Sequence, residues 1–191
     1  MYKKNPISAM FLRRRHGKSL ALLEGYSPGI VLDVGCDDGV FIARFAERFP
    51  SAKISAVDFD KEALAEAKKE CPGATFYEGD FMALSFQQAD LVVMLEILEH
   101  AKDPEAMLRK AAQIAGKKGR ILISIPRAEV LHWRVIWWLW SNTLGRRWRG
   151  QHGDMSEADL LRLAERCGLV CERKSRFFLG SVAIMLLKPT R

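Results

Sequence analysis

"VLDVGCDDGVF", residues 31–41, is the stretch from which the fold can be read. Four apolar or buried-type residues end in Gly35, and a second glycine, Gly39, opens an apolar run with helical spacing. Two glycines four apart between a strand and a helix form a tight turn. There the backbone can approach a ligand closely and helix N–H groups point outward. A nicotinamide-type dinucleotide fingerprint, G-x-G-x-x-G, is the rival reading. With Gly35 as its first glycine, the next two positions are Asp37 and Val40, so it fails at two of three glycines.

On both sides of this turn, short apolar runs alternate with amphipathic ones. "IVLDV" (30–34), "KISAV" (53–57), "TFYEG" (75–79), "DLVVML" (90–95) and "RILISI" (120–125) have the character of strands. "VFIARFAERF", "KEALAEAKKE" and "PEAMLRKAAQIA" between them have that of helices, the last with Asp103 as N-cap and Pro104 at its first position. Strand–helix alternation implies parallel crossovers, hence an α/β, doubly wound, Rossmann-like and mostly parallel sheet. After a further helix, "SEADLLRLAERCG", opened by Ser156 and Asp159 and stopped by Gly168, come "LVCERKSRF" and "SVAIMLLK". The connection around Gly180 is too short for a crossover, so these two form a C-terminal antiparallel hairpin.

The chain of 191 residues, 49% hydrophobic and 28% charged, fits one domain with a continuous core. Residues 28–126 are expected to form a cofactor half, 127–155 an insertion, and 156–191 the terminal helix and hairpin. A net charge of +7 makes phosphates, nucleic acid or anionic lipid the natural partners without ranking them. Cys36, Cys71, Cys167 and Cys171 form no CxxC pair, which suits reduced thiols in a cytoplasmic protein and no metal. Arg13–Arg14–Arg15–His16 interrupts the N-terminal apolar run, against a signal peptide, and no run reaches the length of a membrane span.

The glycine turn resembles the nucleotide motif of class I S-adenosylmethionine-dependent methyltransferases, D/E-x-G-x-G-x-G, here Asp33, Gly35, Asp37 and Gly39, with Cys36 inside it and Asp37 in place of the central glycine. The resemblance continues in order. "AVDFD" puts Asp58 where that family binds the ribose hydroxyls, with Phe59 beside it. "EGDF" puts Asp80 at the adenine amino group with Phe81 next to the ring. "ADLVVMLEILEHAKDP" is similar to the fourth motif and brings Leu95 and Glu96 near the cofactor. The resemblance extends broadly, mostly through the cofactor half, to the quinone-biosynthesis type of methyltransferase and implies S-adenosyl-L-methionine as cofactor and a small-molecule acceptor. Read singly, Asp58 is more simply a helix cap, Asp33 a structural acid and Asp80 a turn residue; it is the four motifs in sequence that carry the cofactor reading.

All five tryptophans fall in "VLHWRVIWWLWSNTLGRRWRG" (130–150) with four arginines and no acid. Three readings stand for this segment: a helix packed on the sheet, an apolar lid over the acceptor pocket, or a lid that also touches anionic membrane through 130–149. A lid would suit an apolar or amphipathic acceptor. His152 and His132, in or beside the segment, are candidate bases for an acceptor that arrives protonated. An RNA-directed methyltransferase, a nicotinamide-dependent oxidoreductase and a non-catalytic cofactor-binding partner subunit remain as alternatives.

Overall fold

The computed structural model describes residues 6–127, 129–130 and 155–190. Helix α1 (Pro6–Ala21) leads into β1 (Ile30–Val34), α2 (Val40–Arg48), β2 (Lys53–Asp58), α3 (Lys61–Glu70), β3 (Thr75–Glu78) and β4 (Leu91–Leu95). A short 3-10 turn, Leu98–His100, precedes α4 (Pro104–Ala115), β5 (Arg120–Pro126), α5 (Glu157–Arg166), β6 (Leu169–Phe177) and β7 (Val182–Pro189). The seven strands lie in the order β3-β2-β1-β4-β5-β7-β6. The first five are parallel, and β7 inserts antiparallel between β5 and β6. This is the expected doubly wound sheet with its antiparallel hairpin edge.

Burial explains the apolar runs. Leu91, Val92, Val93 and Met94 of β4 are all buried, as strands covered on both faces require. One face carries Val31, Leu91, Val93 and Leu122 against α1, α2 and α3, through Leu20, Phe41, Phe45 and Leu64. The other carries Leu32, Val92, Met94 and Ile123 against α4 and α5, through Leu108, Ala111 and Leu160.

Helix ends follow local chemistry. The Asp103 carboxylate accepts from the Ala106 amide, and Pro104 follows at the first helical position. Ser156 and Asp159 form a reciprocal capping box, and Gly168 takes a left-handed φ of 70° just past α5.

Two features exceed the sequence reading. The arginine-rich N-terminus is a helix, although no acid supports its first turn. It is held by packing, with Phe11 edge-on to Phe177 and Phe178 at centroid distances of 4.6 and 5.0 Å. Lys110 of α4 donates to the carbonyls of Phe81, Met82 and Leu84 at 2.7, 3.0 and 2.6 Å, fastening the loop after β3.

Apart from Val130, the tryptophan segment, with His132 and, beyond it, His152, lies outside the described residues. No described helix is long and apolar enough to cross a membrane. The four cysteines are free thiols.

Candidate functional site

Sheet order reverses between β1 and β4, which flank each other while their helices go to opposite faces. A doubly wound sheet opens its ligand crevice at such a point, outside the carboxyl ends of the strands. The glycine turn sits there. Gly35, Asp37 and Gly39 all have positive φ (72°, 47° and 76°). The central position therefore needs the left-handed backbone a glycine would give, and Asp is among the side chains that tolerate it. A Cβ on Gly39 would stand 2.7 Å from Cα of Ala67, so α2 and α3 cross too closely there for any side chain. A Cβ on Gly35 would reach Ile97 Cδ1 at 2.8 Å, which shows how tightly the segment after β4 lies on the turn.

Asp58 organises the crevice from the end of β2. Its Oδ2 accepts from the Asp37 amide at 2.9 Å and its Oδ1 from the Asp60 amide at 3.0 Å. It is not the cap of α3; Asp60 is, accepting from the amides of Glu62 and Ala63. Each Asp58 oxygen keeps a further lone pair, the arrangement that two adjacent hydroxyls need. Phe59 beside it is 78% exposed and offers a flat apolar face. The Asp58 carbonyl accepts from the Gly79 amide at 2.9 Å, which brings Asp80 alongside. Asp80 uses one oxygen on the Met82 amide at 2.8 Å. Phe81 is buried, stacked on Phe86 with Lys110 over its ring, so it backs the crevice from the interior.

Asp33 is buried behind the turn, and burial followed by the Asp58 charge raises its carboxyl to about 8. Burial, with Asp33 and Asp58 nearby, also pushes the Cys36 thiol well up, so it is no nucleophile at neutral pH. Glu96 follows Leu95 at the end of β4 with φ 55°, a strained position for this residue type.

The structure adds two residues here that sequence spacing could not reveal. Arg15 reaches from α1 to pair with Glu96 at 2.5 Å. Glu99 is buried beside them, and burial followed by the Glu96 charge raises it to about 8. Arg15 Nε and Glu99 Oε2 have no partner among the described residues. Arg15 and Glu96 are 81 residues apart in sequence, and nothing local in either segment signals the pairing. His100 is exposed at the end of the 3-10 turn.

Asp33, Gly35, Cys36, Asp37, Gly39, Asp58, Phe59 and Asp80 are thus gathered at one sheet edge, with Leu95 and Glu96 on the neighbouring strand. The set combines a backbone cradle, a two-oxygen acceptor and an exposed aromatic face. A nucleoside with vicinal hydroxyls fits these three features.

A family model described as a methyltransferase domain matches residues 9–174. A ubiquinone biosynthesis O-methyltransferase from Idiomarina loihiensis is 26% identical over 165 residues, covering 78% of this chain and 67% of that protein. In further ubiquinone biosynthesis O-methyltransferases the match covers half or less of the relative's own length. Among solved structures, magnesium protoporphyrin IX methyltransferase from Synechocystis PCC 6803 with bound SAH superposes with a TM-score of 0.75. It is 20% identical, with 97% of this chain and 88% of that one covered. An N-methyltransferase from Bradyrhizobium japonicum WM9 in complex with S-adenosylhomocysteine gives 0.73 at 18% identity, covering 98% and 89%. At these identities the two structures establish the shared fold.

Proposed function

The chain belongs to the methyltransferase domain family, an S-adenosylmethionine-dependent family, and on that premise we propose that it methylates a small apolar or amphipathic acceptor. The observation that carries the cofactor half is the Asp58 carboxylate, fixed by two amides with an acceptor site left on each oxygen. In this reading Asp58 holds the ribose, Phe59 lies against the adenine with Asp80 at its amino edge and Phe81 behind. Asp33, Gly35, Cys36, Asp37 and Gly39 cradle the methionine part, and Leu95 and Glu96 border the reacting end.

When bound, S-adenosylmethionine supplies a methyl group already activated on a sulfonium. The protein's task is then to hold the acceptor atom in line and keep water out, since positioning alone removes much of such a barrier. Asp33 behind the cradle gains charge most readily when a cation sits near it, so cofactor affinity should rise with pH through about 8. His152 or His132 would serve as base for a protonated acceptor, and the tryptophan segment as the apolar cover. Support for the acceptor class is twofold: relatives named for ubiquinone biosynthesis, and five tryptophans concentrated directly after β5.

The test uses methyl-labelled S-adenosylmethionine with catechols and phenols carrying apolar tails. Label should move into an organic-extractable product, and tryptophan emission should shift to the blue as the acceptor is added. Label transferred to RNA alone would overturn the small-molecule reading, and an emission indifferent to every ligand would remove the cover.

A further inference from the structure

We propose that the corner where α1 meets the β6–β7 hairpin is a docking face for an anionic lipid membrane. The first observation is charge. Helix α1 has the sequence PISAMFLRRRHGKSLA, without a single acid. Met10, Arg14 and Lys18 are exposed at four-residue spacing, which places them on one helical face, and the exposed Arg13 lies three residues from Met10 on the same side. Among the described residues no ion pair engages Arg13, Arg14 or Lys18, whereas the inward Arg15 is neutralised by Glu96. A face of free cations beside an apolar residue suits a surface of phosphates.

The second observation is independent of charge. The hairpin tip carries Phe178 and Leu179 at φ 49° and 51°, followed by Gly180 at 85°. Left-handed backbone at consecutive large apolar residues is unfavourable, and turns of this kind ordinarily use Asn, Asp or Gly. The tip accepts that strain and still points its apolar groups outward. Leu179 is 85% exposed, Met10 50% and Phe178 37%. Phe11, next to Met10, packs on both Phe177 and Phe178, so helix and tip form one unit.

The two acids beside the hairpin tip are engaged by cations. Glu129 pairs with Arg127, and Glu157 with Arg127, Lys174 and Arg176. The corner also lies at the end of β5, where Arg127 binds the Ser181 and Gly180 carbonyls, on the same sheet edge as the candidate site. Docking there would turn the site's mouth toward the lipid phase, the place where an amphipathic molecule resides. The docking itself does not depend on the identity of cofactor or acceptor.

The experiment is co-sedimentation of the full chain, without cofactor, with phosphatidylcholine vesicles that contain or lack phosphatidylglycerol. The wild type should bind the anionic vesicles and leave the neutral ones, and added salt should release it. Arg13→Gln/Arg14→Gln/Lys18→Gln should weaken binding about a hundredfold, each cation near such a surface adding about fivefold. Leu179→Asn, which suits the left-handed backbone and leaves the core untouched, should weaken it severalfold. Equal binding to neutral and anionic vesicles, undiminished binding by both variants, or binding to single-stranded RNA but to neither vesicle would overturn the proposal.

Discussion

At the scale of single residues, three buried ionisable groups set how stability should vary with pH. Burial, with Arg15 and Arg44 close by, lowers His16 from 6.5 to about 3. The unfolded chain therefore binds more protons there than the folded one between about 3 and 6.5, and His16 costs stability as pH falls through that range. Above 6.5 it is neutral in both states and contributes no slope. Asp33 and Glu99 have the opposite sign. Folded, they keep their protons up to about 8; unfolded, they have lost them above the ordinary carboxylate range. Their contribution is full in acid and declines as pH rises toward 8. Between pH 6.5 and 8 the protein should therefore lose stability, by up to about 2 kcal/mol for each carboxyl. Urea denaturation at the two pH values measures this, and Asp33→Asn should flatten the decline. Stability that rises over the same interval would contradict the assignment.

At the scale of elements, the α2–α3 crossing at Gly39 is the most demanding contact in the cradle. Gly39→Ala adds a Cβ 2.7 Å from a backbone atom of Ala67 and holds it at φ 76°. Neither partner can yield without moving a helix, so the cost should be about 2–4 kcal/mol. Gly25→Ala supplies the comparison: its φ is 74° but nothing lies within 4 Å, and it should cost only about 1 kcal/mol. Equal losses in thermal unfolding would show that backbone conformation alone, and not close packing, governs the turn. The helix boundaries were legible in the sequence where a cap determines them, as at Asp103–Pro104, Ser156–Asp159 and Gly168, because capping is local chemistry. The inner strands β1, β4, β5 and β7 were legible from their apolar runs. Helix α1 was not, since its residues lack an acid in the first turn and are held by Phe11 on the distant hairpin.

At the scale of the molecule, the same division separates what a motif can say from what only folding assembles. Asp33, Gly35, Asp37, Gly39 and Asp58 could be placed in advance, because the turn and the strand that bear them are contiguous and their order is fixed by the parallel crossovers. Arg15 on Glu96, Lys110 beneath the Asp80 loop and the burial of Glu99 could not, because each depends on segments far apart in sequence. In the proposed function the edge of β1, β2 and β4 is a site for S-adenosylmethionine with Asp58 at the ribose. Titration calorimetry of the full chain with S-adenosylhomocysteine and, separately, with NADH tests it most directly. S-adenosylhomocysteine should bind and NADH should not. Asp58→Ala should weaken S-adenosylhomocysteine about thirtyfold, the loss of about 2 kcal/mol in charge-assisted hydrogen bonds. Binding of NADH alone, or an Asp58→Ala variant with unchanged affinity, would contradict it.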